Sequence, residues 1–197
     1  YREMKNVTII KKKSSVLHLG LDLKKFDQFI SKEDNIYPII LWNHRWEYDK
    51  NPTIFFETLQ KLSKQGSNFK LVVLGEEFTN ELPCFTQARK TLKKHILQFG
   101  YAKSFNEYAY WLWKADILPI TSNQDFFGAS IIEAVYCNNI PLLPNRLTYP
   151  ELFNYKNNSH LFYENNTDLL EKLDYFINNF NKLKKHNIQL NTKKFDW

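Results

Sequence analysis

The chain has 197 residues, 43% of them hydrophobic and 24% charged, the balance of one globular domain with a full core and not of a disordered segment. No apolar run approaches the roughly 20 residues that span a bilayer, and two distant cysteines, Cys84 and Cys137, make neither a disulfide framework nor a zinc-ligand pattern. The net charge of +6 sits at the two ends, in runs such as Lys11-Lys12-Lys13 and Lys182, Lys184 and Lys185, so the near-neutral body is no basic nucleic-acid platform. Solvated lysines on flexible ends are the plainer reading of those runs; a polyanion contact would start from them. A start at Tyr1 without a charged-then-apolar leader suggests a processed chain or an excised piece of a larger protein, in a reducing, cytoplasmic setting.

Residues 1–36 are polar and lack a sustained period, apart from a short strand candidate at Val7–Ile10 and the stretch Val16–Asp22. They read as a lead-in or interdomain segment. From Tyr37 the pattern becomes regular. Pro38-Ile39-Ile40-Leu41-Trp42-Asn43 is a short continuous apolar run, the sign of a strand buried on both faces. Asn51-Pro52 leads a helical segment with Ile54, Phe55, Leu59 and Leu62 on one face and proline where a first turn tolerates it. Gly66-Ser67-Asn68 punctuates, and Phe69–Gly75 reads as the second buried strand. A helix over Cys84–Lys94 precedes a strand at His95–Gly100, and a helix over Phe105–Lys114 precedes a strand at Ala115–Ile120. A helix reaching Cys137, a strand at Ile140–Leu143, a short strand at Leu161–Tyr163 and a helix over Thr167–Phe180 complete the series. Residues 182–197 read as a basic tail or helix. Strands alternating with helices predict an α/β fold over 37–181, a Rossmann-like parallel sheet with helices on both faces.

The segment Gln124-Asp125-Phe126-Phe127-Gly128 followed by Ala129–Ala134 organises the rest. It offers a strand, a loop with a glycine, and a helix carrying Glu133. Helix N-terminal N–H groups lack internal partners and favour a phosphate, and an acid farther along can accept from a sugar diol. Asp-x-x-Gly also reads simply as a helix cap. The loops after the other strands give it company, because ligands of open α/β sheets sit beyond the carboxyl ends of the strands. After the first strand come Asn43, His44, Arg45 and Lys50, a planar fork and a point charge suited to a diphosphate. After the second comes Gly75-Glu76-Glu77, and after the fifth Asn145 and Arg146.

These motifs carry a resemblance. Asp125-x7-Glu133 resembles the E-x7-E element of retaining GT-B glycosyltransferases, and Arg45 with Lys50 resembles their diphosphate-binding pair. The longer stretches Leu41–Pro52, Phe126–Cys137 and Pro144–Glu151 resemble the tRNA-queuosine α-mannosyltransferase family over roughly residues 37–165. The resemblance implies the C-terminal, nucleotide-sugar-binding half of such an enzyme, with GDP-mannose as donor and queuosine in a tRNA anticodon as acceptor. It implies no metal and no further cofactor. By the same resemblance Arg45 and Lys50 would hold the diphosphate and stabilise the leaving group, and Glu133 would accept the ribose hydroxyls. Asp125, one methylene shorter than the family's usual Glu, would meet the transferred sugar. Asn43, His44, Gly75, Phe127, Gly128, Asn145 and Arg146 would wall the donor site, Arg146 being equally readable as a structural ion pair.

The family architecture places acceptor chemistry between two Rossmann-like domains, of which this sequence holds one. An absent N-terminal domain would supply the acceptor side, and this chain alone is expected to turn over no tRNA. Two other readings stay open here. One is a related donor domain using another nucleotide sugar and a glycan or lipid acceptor; the other is a non-enzymatic RNA-binding module working through the basic ends. Trp42 and Trp46 offer rings that can stack a base, whereas Trp111 and Trp113 read as packing, and His95 and His160 as structural.

Overall fold

Six short apolar segments become one parallel sheet in the computed structural model, which describes residues 4–30, 34–76, 82–185 and 190–197. The strands are β1 (Ile39–Trp42), β2 (Lys70–Val73), β3 (Ile96–Phe99), β4 (Ile117–Pro119), β5 (Ile140–Pro144) and β6 (Phe162–Tyr163). Their order across the sheet is β3-β2-β1-β4-β5-β6, the doubly wound order of dinucleotide-binding folds, in which the direction of winding reverses between β1 and β4. β1, β4 and β5 are buried along their whole length, which is why their sequences read as unbroken apolar runs instead of alternating ones. At the β3 edge Leu97 is exposed.

Helices α2 (Pro52–Gln65), α3 (Pro83–Thr91), α4 (Phe105–Lys114) and α5 (Ala129–Tyr136) connect the strands, and α8 (Asn166–Lys185) follows β6. Each begins where local chemistry allows. Proline opens α2 and α3, where its missing N–H costs nothing. Ser104 caps α4 by accepting from the Glu107 amide, while the Glu107 carboxylate accepts from the Lys103 amide, a reciprocal arrangement close to a capping box. Asn165 caps α8 through the amides of Thr167 and Asp168. Two one-turn helices not foreseen in the sequence, α6 (Tyr149–Leu152) and α7 (Tyr155–Asn158), fill the β5–β6 connection.

The strand expected at Val7–Ile10 is instead part of helix α1 (Met4–Lys13), with Val7, Ile9 and Ile10 exposed. A helix satisfies its backbone within the segment, whereas a strand needs a neighbour; among the described residues no strand pairing involves these positions. Farther along the lead-in, Leu23 and Phe26 belong to the core, as does Phe195 near the other end. Leu21 bridges Asp196 in parallel fashion, and Asp196 pairs with Lys24 at 2.9 Å. Among the described residues no helix is long and apolar enough to cross a membrane.

Candidate functional site

The carboxyl ends of β1 and β4 lie side by side, and their loops are stitched together. Thr121 donates through its hydroxyl to the carbonyls of Lys50 and Asn51, and the Asn123 amide donates to the Asp49 carbonyl at 2.7 Å. This brings Lys50, at the end of a short 3-10 turn after β1, to Asp125 on the β4 loop. The Lys50 ammonium lies 3.6 Å from Asp125 Oδ2 and 3.2 Å from Asp49 Oδ2, and donates to the Gln124 carbonyl at 2.9 Å. Only 11% of its side chain is exposed, against 59% for Arg45. Arg45 pairs with Glu47 at 3.1 Å. Both cations line one cavity of about 350 Å3 together with Glu47, Asp49 and Asp125. The two cations are therefore present in one pocket, one nearly buried and held by two carboxylates, the other reaching from the rim.

Asp125 also accepts from the Tyr149 hydroxyl at 3.2 Å. Burial, and then the Asp125 charge, hold the Tyr149 phenol well above its ordinary pKa, so it remains a neutral donor. Behind this layer His44 is buried, its Nδ1 3.5 Å from the Ser130 hydroxyl and its Nε2 without a partner. Desolvation lowers its pKa to about 4, against which Asp125 pulls upward. The imidazole is neutral at physiological pH.

Gly75 shows why glycine stands after β2. Its φ is +119, and a Cβ there would meet the His44 carbonyl oxygen at 2.0 Å. Only glycine lets the β2 end pass so close to the β1 loop. Glu77, quoted with it in the sequence, lies outside the described residues. Gly128, with φ +76, turns the chain into α5. Glu133 therefore sits in the second turn of α5, where its Oε2 accepts from the Tyr108 hydroxyl at 2.8 Å and its Oε1 lies 3.9 Å from the Lys25 ammonium. Burial raises its pKa, while Tyr108 and Lys25 oppose the rise. Asn43 donates to the Ser130 carbonyl at 2.7 Å and fixes the end of β1 to the start of α5. A second cavity of about 510 Å3 opens here, lined by Asn43, Gly75, Lys103, Ser104, Phe105 and Tyr108 among others.

Three expected wall residues are engaged elsewhere. Phe127 packs edge-on against Phe195, with ring centroids 5.6 Å apart. Asn145 donates to Glu164 at 2.7 Å. Arg146 directs its guanidinium to the carbonyls of Thr121 and Ser122 at 3.0–3.2 Å, so among the described residues it braces the β4 loop through backbone oxygens. Trp42 and Trp46 do not offer free rings. Both are buried, stacked and edge-packed among Phe55, Phe56, Phe85 and Phe99, because the apolar environment at the end of β1 absorbs them. His95 bridges Phe69 O and Ser63 Oγ, both at 2.8 Å, and stacks on Phe69. Tyr108, Tyr149 and Asp49 were not singled out from the sequence. Tyr149 and Asp49 fall within the quoted motifs, whereas Tyr108 carried no signal beyond its place on the apolar side of a helix. Among the described residues no cluster of three or more metal-ligating side chains occurs.

Comparisons with known proteins bear on the family and the fold. The family described as "Glycosyl transferases group 1" matches residues 24–195. A tRNA-queuosine alpha-mannosyltransferase from Drosophila melanogaster is 30% identical over 196 residues, covering 87% of this chain and 50% of its own length. The chain thus spans about half of that relative. Among solved structures, the C-terminal domain of the group 1 glycosyl transferase LpcC from Francisella tularensis superposes with a TM-score of 0.65 at 21% identity, over 91% of this chain and 93% of that domain. A glycosyltransferase from Rickettsia africae gives 0.66 at 18% identity, over 92% of this chain and 54% of that one. The same fold occurs in the E. coli trehalose-6-phosphate structure bound with UDP-2-fluoro glucose, with a TM-score of 0.64 at 10% identity, over 89% of this chain and 46% of that one. By the extent of the family match and by its doubly wound sheet, the chain belongs to the group 1 glycosyltransferases, as a Rossmann-like domain of the GT-B type.

Proposed function

We propose that this chain is the donor-binding domain of a retaining glycosyltransferase that takes mannose from GDP-mannose and delivers it to queuosine in tRNA. The observation that carries the donor half of this reading is the Lys50 ammonium. It is nearly buried, held between Asp49 and Asp125 at 3.2 and 3.6 Å, at the winding reversal of the sheet where such folds take nucleotides. The acceptor and the sugar are supported by the identity to the Drosophila enzyme.

In this reading the nucleoside occupies the larger cavity beside Tyr108, with Glu133 accepting from the ribose hydroxyls. The diphosphate reaches Lys50 and Arg45 past the amino end of α5, whose first amides have no partners inside the helix. The bond between the anomeric carbon and the phosphate oxygen breaks with its electron pair leaving on the diphosphate. The acceptor hydroxyl forms the new bond on the same face and gives its proton to the departing diphosphate oxygen. Lys50 and Arg45 act where negative charge grows, which is where a preorganised cation contributes most. Asp125, beside Lys50, is positioned to accept from the sugar's hydroxyls. Acceptor-side groups would come from a second domain.

Calorimetric titration of the chain with GDP, UDP and ADP tests the donor. Selective binding of GDP is expected. A preference for UDP or ADP would end the GDP-mannose reading while leaving the family membership untouched.

A further inference from the structure

Glu133 is not free to choose its orientation. Its carboxylate is gripped on one oxygen by Tyr108 from α4, at 2.8 Å, and approached on the other by Lys25 from the lead-in segment, at 3.9 Å. Tyr108 is itself half-buried: desolvation first, and then the Glu133 charge, push its phenol well above its usual range. It is consequently a neutral hydroxyl with one proton to donate, and Glu133 receives it. Phe105, one turn earlier on α4, and Phe26 pack against the Tyr108 ring, and Trp113 ties the Phe26 carbonyl to α4 at 2.8 Å. The Lys25 ammonium lies over the Phe26 and Phe105 rings at 5.3 and 4.9 Å. The ring that orients Glu133 and the cation that faces it are thus set in one aromatic cluster built from α4 and the lead-in segment.

The chemistry gives this arrangement a purpose. An ionised carboxylate offers about four lone-pair sites. Tyr108 occupies one on Oε2 and leaves the rest for a vicinal diol. Without that donor, a carboxylate whose pKa burial already raises would lose both its fixed rotamer and part of what keeps it charged. Tyr108 also borders the nucleoside-sized cavity beside Asn43 and Gly75, so the group that aims the carboxylate stands at the wall where a ribose would enter.

We infer that Tyr108 is a positioning residue that sets the Glu133 carboxylate for the ribose hydroxyls of the donor nucleotide, with Lys25 as a weaker second support. The inference rests on the reading that Glu133 meets the ribose. Its signature is selective: losing the Tyr108 hydroxyl weakens discrimination for the diol more than it weakens binding of the base and phosphates.

The test compares GDP with 2′,3′-dideoxy-GDP by titration calorimetry, for the native chain, Tyr108→Phe, Lys25→Met and Glu133→Ala. The native chain is expected to favour GDP by about tenfold or more, the scale of hydrogen bonds to a charged group. Glu133→Ala should bring that ratio to about one. Tyr108→Phe, which keeps the ring, should lower it by about three- to tenfold, the loss falling mainly on GDP and little on dideoxy-GDP, and Lys25→Met should lower it by less. A native ratio retained in Tyr108→Phe, or equal loss of both ligands, would overturn the inference and leave the Glu133 reading standing. No preference in the native chain, no effect of Glu133→Ala, or no GDP binding would remove the ribose reading and the inference with it.

Discussion

The Lys50 ammonium sits 3.6 Å from the Asp125 carboxylate, joining the loop after β1 to the loop after β4 across the winding reversal of the sheet. With Asp49 on its other side, Lys50 is held by two carboxylates before any donor arrives. A diphosphate must compete for that cation. Lys50→Met should therefore lower GDP affinity by about ten- to a hundredfold, the worth of one or two charge-assisted hydrogen bonds. Asp125→Asn should leave GDP affinity unchanged or raise it severalfold while erasing any advantage of GDP-mannose over GDP. Titrations of the two variants with both ligands check this; parallel loss of both ligands in Asp125→Asn would speak against a role at the sugar.

Gly75→Ala should destabilise the chain by about 3 kcal/mol or more, because it combines a strained backbone with a steric clash. The new Cβ would meet the His44 carbonyl oxygen at 2.0 Å, at a φ of +119. Backbone atoms cannot step aside as a flexible side chain does. Chemical denaturation measures the loss, and a change below about 1 kcal/mol would mean that the β1 and β2 loops part easily.

Asp116, fully buried at the start of β4, accepts from the Ile39 amide at 2.8 Å and the Asn35 side chain at 2.7 Å, and pairs with the Lys184 ammonium of α8. Asp116→Ala should cost about 3–5 kcal/mol, since it strands the buried Ile39 amide and breaks the pair with Lys184. Lys184→Met should cost a similar amount, because both neutral donors sit on Oδ2 and the buried carboxylate loses the partner of its other oxygen. Urea unfolding of both variants checks this.

His44 gives the fold a pH dependence. Its pKa falls from an ordinary 6.5 to about 4, through burial first, so the unfolded chain binds the extra proton more readily than the folded one. Stability present above pH 6.5 is therefore lost as pH falls toward 4, by up to about 3 kcal/mol from this group. His95, lowered chiefly by burial, acts in the same direction. Glu133, raised by burial, acts in the opposite one. Unfolding free energies at pH 7 and pH 5 should differ less in His44→Asn than in the native chain.

Much of the sheet was legible because β1, β4 and β5 are buried on both faces and α2, α3 and α4 start with proline or a capping side chain; β1, β4 and α4 follow directly from their residues. Segments whose state depends on a distant partner were not. Val7–Ile10 has the β-branched composition of a strand, yet α1 closes its hydrogen bonds locally. Trp42 and Trp46 carry the same letters whether they face a ligand or a phenylalanine cluster, and only the packing of α2 and α3 around them decides. In the site, the cations and carboxylates after β1 and β4 could be read from the chain. The contacts that aim them could not: Tyr108 lies 25 positions from Glu133, and Arg146 spends its donors on backbone oxygens, which leave no trace in sequence.

The most direct measurement is a crystal structure of this chain with GDP bound. The diphosphate should lie against Lys50 and Arg45 at the start of α5, with the ribose hydroxyls on Glu133 and the base in the cavity beside Tyr108. A diphosphate bound away from Lys50, or a ribose out of reach of Glu133, would contradict the donor site described here.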